Sequence, residues 1–233
     1  MTAMPKISVI IPTRNRPAFL REAVQSVLTQ SFTDFELLIV NDGEVGIPKL
    51  GDDRCRVLEN EMRGAVSARN LGVAKAKGDH IAFLDDDDVW SDHNHLAQAV
   101  ENLNANCDFY FADGILKFPN GERKIFARDA DAISLQYNNT ILISAVCYKK
   151  SLHRVLGDFD EALPFYWDWD WYLRVARCGA ALMRWPQPAV DIRIHPQNMS
   201  GDQNIAARRS NLNLLEKKHN LAPIALKAHV DFV

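Results

Sequence analysis

Short apolar runs and amphipathic stretches alternate along the first hundred residues of the chain. The apolar runs predict four buried strands, at Ile7–Ile11, Phe35–Val40, Cys55–Leu58 and Ile81–Leu84. Between them, apolar residues spaced three and four apart predict helices at Pro17–Leu28, about Ala65 to Ala76, and His93–Asn104. We expect Gly78 to stop the second helix. This order predicts an α/β fold in which helices flank a Rossmann-like, mostly parallel sheet.

The pattern becomes irregular after residue 105. Turn-forming residues stand at Asp113-Gly114 and at Pro119–Gly121, and a strand is predicted at Thr140–Tyr148. A helix follows at about Asp168 to Cys178, where Gly179 is expected to cap it. Since no low-complexity linker divides the chain, we expect one domain over residues 1–233. Its parts are a main region at 1–105, a smaller subregion at 106–203 and a helical tail at 204–233.

The composition is that of a globular protein with a core of its own. Of 233 residues, 47% are hydrophobic and 24% charged, and the net charge of −3 counts against a nucleic-acid partner, which usually meets a basic surface. Four scattered cysteines without C-x-x-C spacing suggest neither a zinc site nor a disulfide framework. No apolar run reaches the roughly 18 residues of a membrane span, and the first residues lack a signal-peptide layout. We therefore expect a cytoplasmic enzyme.

Polar groups follow three of the predicted strands at the point where each strand ends. They are Thr13–Asn15, Asn41–Gly43 and the four aspartates Asp85–Asp88. In an open α/β sheet, ligands bind outside the carboxyl ends of the strands. Four neighbouring carboxylates repel one another unless a cation lies among them, and Mg²⁺ or Mn²⁺ prefers such oxygen ligands. A solvated acidic turn is the alternative for an isolated run, but the position at a strand end favours a metal site.

Four stretches of the chain together resemble the family 2 glycosyltransferases of the GT-A fold. They keep that family's order from residue 7 to about 200, and they are Ser8–Arg16, Leu38–Gly43, Gly64–Gly72 with its continuation to Asp88, and Gly157–Glu161 with Asp168–Arg174. Each stretch is a weak signal alone, whereas the ordered set is specific. Two positions depart from the family pattern, because Asn41 replaces an aspartate and Trp167 replaces a glutamate.

The resemblance implies a GT-A glycosyltransferase that uses a nucleotide-diphosphate sugar and a divalent metal, Mn²⁺ or Mg²⁺, and that inverts the anomeric carbon. By position it assigns the nucleotide sugar to Thr13, Asn15, Asp42, Arg69, Asp85 and Asp86, and the metal to Asp87 and His195. In this arrangement Asp42 accepts a base N–H and Arg69 lies near the pyrophosphate. Structural alternatives stay open for three residues: an Asx turn for Asp42, a surface ion pair for Arg69 and a purely structural role for His195.

An inverting transfer needs one carboxylate near the acceptor hydroxyl to take its proton. Asp168 and Asp170 are the candidates, in a segment rich in Trp and Tyr. On a helix Asp170 lies four residues before Arg174 and can pair with it, which leaves Asp168 as the base. The glutamate–aspartate pair of the family also falls on Trp167 and Asp168. A helix N-cap is the alternative for Asp168, and core packing is the alternative for the aromatic residues, which otherwise form an apolar platform for a sugar.

The resemblance also implies a UDP-sugar donor and a glycan or glycolipid acceptor, in polysaccharide or glycoconjugate assembly. A nucleotidyltransferase is one alternative, although Pro12–Arg16 lacks the glycine-rich loop that such an enzyme needs. A non-catalytic nucleotide-sugar-binding module is the other, favoured by Asn41 and Trp167. The basic amphipathic tail from Asn204 is expected to pack on the domain, and its contact with the inner face of an anionic membrane or with a second subunit in a homodimer stays open.

Nine of the acidic residues stand in two segments that contain no Lys or Arg. Four lie at 85–88 and five at 157–170, and without them the net charge of −3 becomes +6. We expect both segments at one cleft. An acidic cleft repels a diphosphate unless a metal lies between them, so the charge distribution also favours a metal cofactor.

Overall fold

One mixed sheet carries the fold in this computed structural model, which describes residues 4–47, 50–61, 63–199 and 201–233. Within these ranges the strands are β1 (Ile7–Thr13), β2 (Phe35–Asn41), β3 (Cys55–Glu59), β4 (His80–Phe83), β5 (Val89–Trp90), β6 (Phe109–Lys117), β7 (Arg123–Phe126), β8 (Val146–Lys149) and β9 (Leu182–Arg193). The helices are α1 (Pro17–Leu28), α2 (Ala65–Lys75), α3 (His95–Ala105), α4 (Leu152–Leu156), α5 (Trp167–Arg177) and α6 (Ile205–His219).

The order of the strands joins both halves of the chain in one sheet. That order is β3-β2-β1-β4-β8-β6-β9-β5, with β7 paired to β6. β1 to β4 run parallel to one another, as do β6 and β9, whereas β8 is antiparallel to both of its neighbours, β4 and β6. Most paired residues therefore lie in parallel pairs. The predicted α/β fold, with helices flanking a mostly parallel sheet, is confirmed.

Both faces of the sheet are buried, as the continuous apolar runs of β1 and β2 require. Ile10 packs on the face covered by α2 and α5, while its neighbours Val9 and Ile11 pack on the opposite face, covered by α1 and α3. Trp171 and Tyr172 of α5 are almost fully buried in the first of these clusters. Because β1, β2 and β4 run parallel to one another, their carboxyl ends and the polar loops that follow lie at one edge of the sheet.

Two glycines assigned from the sequence to a turn and to a helix stop serve close packing instead. Asp113-Gly114 lies inside β6, where a Cβ on Gly114 would come 2.5 Å from Leu142 Cδ1. α2 ends before Gly78, with Ala76 as its C-cap, and a Cβ on Gly78 would lie 2.6 Å from the Ser8 nitrogen of β1. Glycine is needed at both positions because another part of the chain approaches the backbone.

The segment before β8 differs from the single strand predicted at Thr140–Tyr148. Ile143–Ala145 form a 3₁₀ turn, and only Val146–Lys149 join the sheet. Because the chain turns here, the Ser144 hydroxyl faces the loop that follows β4. The departure from strand geometry thus supplies a contact to the aspartate run.

The C-terminal helix α6 packs on the domain, as expected. Its residues Leu212 and Leu215 are buried, and His219 Nε2 lies 2.8 Å from Asp170 Oδ1 of α5. A polar anchor and an apolar face therefore hold the helix against α5. In the part of the chain that the structure describes, no helix combines the length and the apolar composition that crossing a bilayer requires.

Candidate active site

The loop after β4 holds the aspartate run at the edge of the sheet. β4 ends at Phe83, and the Asp85 amide donates to Ser144 Oγ at 3.1 Å. The Asp88 amide donates to the Asp85 carbonyl, which closes a tight turn. The Asp88 carboxylate accepts from Ser144 Oγ at 2.6 Å and from the Arg193 amide of β9 at 3.1 Å. These bonds tie the run to both halves of the sheet.

Three carboxylates of the run form a cluster with the chemistry of a divalent-metal site. Asp85, Asp87 and Asp88 each bring one oxygen within 4.8 Å of the others. Burial raises the pKa of Asp85, and burial together with the charges of Asp87 and Asp85 raises the pKa of Asp88 well above its usual range. A cation among the three would stabilise their charged forms. Oxygen ligands of this kind suit Mg²⁺ or Mn²⁺, so the residues present fit such an ion.

Basic and hydroxyl groups from other elements contact the same run. The Arg16 guanidinium, just before α1, donates to Asp87 Oδ2 at 2.7 Å and to Asp86 Oδ1 at 3.2 Å. His195 Nε2, beyond β9, lies 2.9 Å from the same Asp87 oxygen. Thr13 Oγ1 donates to Asp86 Oδ2 at 2.6 Å, so Asp86 faces β1 while its neighbours form the oxygen cluster. His195 thus reaches the cluster through Asp87.

Asp42 is held at the end of β2 by groups from the β3–α2 loop. Its side chain is buried, and Oδ1 accepts from Asn60 Nδ2 at 2.7 Å and from the Gly64 amide at 3.0 Å. The Asx turn considered for Asp42 is formed by Asn41, whose Oδ1 accepts from the Gly43 amide at 3.1 Å. Asn41, which replaces an aspartate of the family pattern, therefore shapes the loop after β2. Asp42 is held separately, by Asn60 and the Gly64 amide.

Asn15 organises the loop that follows β2. Its backbone has φ 57°, and its Oδ1 accepts from the Glu44 and Val45 amides at 3.0 and 3.1 Å. Asn is among the residues that tolerate this left-handed conformation. Thr13 and Asn15 also line a cavity between α1 and the loop after β2. The two residues predicted for the nucleoside therefore lie together at the ends of β1 and β2.

Arg69 of α2 is buried, so the surface ion pair considered for it is wrong. Its guanidinium bonds to Asp85 and donates to the Ala65 carbonyl at 3.0 Å. The Arg69 guanidinium carbon also lies 4.5 Å from the centre of the Trp167 ring. Trp167, which replaces a glutamate of the family pattern, therefore makes a cation–π contact with Arg69. Arg69 Nε makes no hydrogen bond to the described residues. Buried donors usually have a partner, so the unpaired Nε and the place of Arg69 in the cavity lining make this guanidinium a candidate for contact with an anionic ligand.

Asp168 stands inside the first turn of α5 in a desolvated position. α5 begins at Trp167 with Tyr166 as its N-cap, so the N-cap alternative for Asp168 is wrong. Its Oδ2 accepts from Asn139 Nδ2 at 2.8 Å, and its Oδ1 from the Trp169 amide at 2.8 Å. Burial raises the pKa of Asp168 to about 6, although both hydrogen bonds act in the opposite direction.

Asp170, one half-turn further along α5, has the opposite character. It is fully buried and pairs with Arg174, Lys218 and His219. Burial alone would raise its pKa, but the hydrogen bonds from His219 and Lys218 lower the pKa of Asp170 to about 2. The pairing with Arg174 inferred from the spacing is present. Asp170 therefore docks α6 and does not face the aspartate run.

One cavity joins the aspartate cluster to Asp168. Its lining includes Arg69, Asp85, Asp87 and Asp168. The expectation that both acidic segments share one cleft is only partly correct. Asp168 lines the cavity, whereas the other acidic side chains of the second segment do not, as with Asp160, which pairs with Lys218 of α6.

Three residues that contact the site were given no role from the sequence. Arg16 bonds the aspartate run, Asn60 bonds Asp42, and Asn139 bonds Asp168. Asn60 directly follows β3, so the rule that ligand groups lie at the carboxyl ends of strands could have indicated it. Asn139 stands in an irregular segment 29 residues before its partner, and no local pattern points to it.

Comparison with solved structures identifies the fold. S. aureus TarS 1–349 in complex with UDP-GlcNAc matches with a TM-score of 0.70 at 18% identity, over 91% of this chain and 66% of that chain. Mannosyltransferase PcManGT from Pyrobaculum calidifontis in complex with GDP-Man and Mn²⁺ matches with a TM-score of 0.65 at 17% identity, over 93% and 64%. The fold is that of the GT-A glycosyltransferases, and the chain spans slightly less than two thirds of these solved chains.

Sequence comparison then gives the family. The profile of Glycosyl transferase family 2 matches residues 8–155, and the chain belongs to this family. It is 34% identical to the uncharacterized glycosyltransferase YwdF of Bacillus subtilis (strain 168), over 95% of this chain and 87% of that protein. It is 26% identical to the glycosyl transferase WcaA of Escherichia coli (strain K12), which is named for colanic acid biosynthesis, over 73% and 66%.

Proposed function

We propose that the chain moves a sugar from a nucleotide-diphosphate sugar to an acceptor hydroxyl, with inversion at the anomeric carbon and with Mn²⁺ or Mg²⁺ as cofactor. The main support is one cavity that holds both an aspartate cluster and a partly buried carboxyl group, Asp168, whose pKa is raised to about 6. An inverting displacement needs these two features, because the leaving diphosphate requires cationic help and the acceptor hydroxyl requires a base.

On the donor side, the nucleoside lies at the ends of β1 and β2. Asp42 uses Oδ1 to bond Asn60, and its Oδ2, 4.0 Å from the exposed Arg14, accepts the base N–H. Thr13 and Asn15 line the neighbouring pocket. Asp86 keeps its place in the donor site by its bond to Thr13. A UDP-sugar is the expected donor because the TarS structure contains UDP-GlcNAc.

The diphosphate and the cation lie beside the aspartate run. Asp85, Asp87 and Asp88 hold the cation, and His195 supports Asp87 from the β9 side. When bound, the cation acts as a Lewis acid on the departing diphosphate. The buried guanidinium of Arg69, with its unpaired Nε, binds a diphosphate oxygen. The choice of Mn²⁺ is supported by its presence in the PcManGT structure.

Asp168 takes the proton of the acceptor hydroxyl as that oxygen attacks the anomeric carbon. A pKa of about 6 leaves the carboxylate ionised at pH 7 to 8 and more basic than an exposed aspartate. Asn139 holds one carboxylate oxygen at 2.8 Å and so fixes its direction. Asp170 is unsuited to this task because ion pairs with Arg174 and Lys218 and a hydrogen bond from His219 hold it in the charged form.

The acceptor is a glycan or a glycolipid, and the reaction belongs to polysaccharide or glycoconjugate assembly. Support comes from the relative WcaA, whose name refers to colanic acid biosynthesis. The aromatic residues Tyr166, Trp167 and Trp169 line the cavity beside the base and provide apolar surface of the kind that sugar rings contact.

Thermal unfolding with UDP-GlcNAc, UDP-glucose and GDP-mannose, each in Mn²⁺ or in EDTA, tests this proposal, together with an assay of UDP release. We expect a metal-dependent rise in melting temperature with a UDP-sugar and measurable release of UDP. Asp87→Ala should lose the metal-dependent part, while Glu101→Ala, an exposed acid on α3, should keep it. Binding without release of UDP in wild-type protein would favour the non-catalytic module, and unchanged metal dependence in Asp87→Ala would contradict the metal assignment.

A further inference from the structure

The tail segment, residues 221–233, runs back from α6 to the strand β7 and is held near its middle and near residue 232. In the middle, Arg208 of α6 donates to the Lys227 carbonyl at 2.6 Å. Further along, Arg128 donates to the Phe232 carbonyl, and the Phe232 ring meets Phe126 of β7 edge-on at 6.2 Å between centroids. These contacts give the segment a defined path although it has little regular secondary structure.

The tail segment forms one wall of the cavity that contains Asp168. Its contributions include Lys227, Val230 and Phe232, and the same cavity is lined by Tyr137 and Trp169. Apart from Lys227, the tail contributes apolar and aromatic groups to this wall, and a second cation, Arg208 of α6, also lines the cavity. On a surface of this composition, the apolar groups can contact a sugar ring while the ammonium group binds a polar substituent of the same sugar.

The charge of Lys227 has only neutral partners. Its Nζ donates to Asn138 Oδ1 at 2.9 Å and lies 5.2 Å from the centre of the Phe232 ring. None of the ion pairs formed by the described residues includes Lys227. An amide oxygen and an aromatic face orient an ammonium group without neutralising it.

The carboxylates of the cavity have partners of their own. Asp85 bonds Arg69, Asp87 bonds Arg16 and His195, Asp88 bonds Ser144, and Asp168 bonds Asn139. None of these four carboxylates therefore pairs with Lys227. A positive charge beside apolar groups selects for an anionic ligand.

We propose that Lys227 forms a subsite for an anionic group of the acceptor, and that the preferred acceptor is a saccharide carrying a carboxylate or a phosphate. The inference rests on the proposed function, because it takes this saccharide to be the acceptor of the sugar transfer. The donor diphosphate binds beside Arg69 and the aspartate cluster, to which Lys227 makes no hydrogen bond. We therefore expect the charge at Lys227 to act on acceptor choice and to leave donor binding unchanged.

Calorimetric titration of the full chain with methyl glucoside, methyl glucuronide and glucose 6-phosphate tests the subsite. EDTA is present throughout, so that no divalent cation contributes to anion binding. We expect at least one anionic sugar to bind about tenfold more tightly than methyl glucoside, the effect of one charge-assisted hydrogen bond. The glucuronide and the phosphate distinguish a uronic acid from a phosphorylated acceptor.

Three variants separate the charge from the fold. Lys227→Gln keeps an N–H donor for Asn138 and should abolish the preference for anions, while Lys227→Arg keeps the charge and should retain it. Lys217→Gln removes a charge from α6 outside the cavity lining and should also retain the preference. Equal affinity for the three sugars, or a preference that survives in Lys227→Gln, would overturn the proposal. A lack of stabilisation by UDP-sugars would contradict the proposed function alone, since the EDTA titrations do not depend on it.

Discussion

Replacing Asp168 by Asn should make the protein more stable and inactive at the same time. Burial raises the pKa of this carboxyl group from 3.8 to about 6 in the folded protein. The folded state therefore binds the proton more tightly than the unfolded chain, and stability falls as the pH rises from about 4 to 6. Two pKa units correspond to about 3 kcal/mol, which is the upper limit of the destabilisation at pH 8.

The substitution removes this unfavourable ionisation and keeps one oxygen that can accept from Asn139 Nδ2, which lies 2.8 Å from Asp168 Oδ2 in the wild-type protein. The NH₂ group of the new Asn cannot accept from the Trp169 amide, and the loss of that bond reduces the gain. Urea unfolding at pH 8 should show a free energy of unfolding higher than wild type by up to about 3 kcal/mol. The gain should vanish near pH 4, where the wild-type carboxyl group is protonated in the folded state. Asp158→Asn, which changes an exposed acid of the same region, should alter stability little at either pH.

Transfer should be lost in Asp168→Asn while the UDP-GlcNAc-dependent rise in melting temperature remains. In wild-type protein, the rate of transfer should decline below about pH 6, where Asp168 takes up its proton. If the free energy of unfolding of Asp168→Asn equalled that of wild type at pH 8, the carboxyl group would not be desolvated. The same would follow if the variant were more stable than wild type by equal amounts at pH 8 and pH 4. Transfer at a near-normal rate in the variant would remove Asp168 from the role of base.

Three further substitutions address the surroundings of the site. Arg16→Met removes the guanidinium that bonds to Asp87 Oδ2. We expect this variant to bind Mn²⁺ about tenfold more tightly in calorimetry without nucleotide. An unchanged affinity would mean that Arg16 does not compete with the cation. Asp170→Asn removes the buried carboxylate that Arg174, Lys218 and His219 share and should lower the free energy of unfolding by about 3–5 kcal/mol at pH 7. Because the pKa of Asp170 is lowered to about 2, its wild-type contribution should be complete above about pH 4 and lost towards pH 2, which acid unfolding would measure. Gly78→Ala should cost about 1–3 kcal/mol in urea unfolding because its Cβ meets the backbone of β1, whereas Gly46→Ala, in open space, should not.

Local patterns predicted those features that depend on neighbouring residues. β1, α1 and β2 were predicted to within two residues of their bounds, because apolar spacing reports directly on buried strands and on one helix face. The pairing of Asp170 with Arg174 was also predictable, since residues four apart on a helix always share a face. The turn assigned to Gly114 was wrong because glycine there accommodates Leu142, which lies far away in the sequence.

The contacts that turn these elements into a site join distant parts of the chain. Arg16 and Asp87 are separated by 71 residues, and Asn139 and Asp168 by 29. No period or motif specifies such pairs, because they depend on how β8 is inserted between β4 and β6 and on how the 3₁₀ turn carries Ser144. The path of the tail segment past Asp168 likewise depends on contacts with β7.

The amino-acid pattern alone was enough to establish an α/β sheet, the acidic run at a strand end and two candidate carboxylates in one helix. It could not say which carboxylate is desolvated, because Asp168 and Asp170 have the same chemistry and stand two residues apart. Packing separates them: Asp170 bonds Lys218 and His219 of α6 and has a pKa of about 2, while Asp168 lies in the cavity and has a pKa of about 6. The acid–base character of the site is thus a property of burial and of charges brought together by the fold.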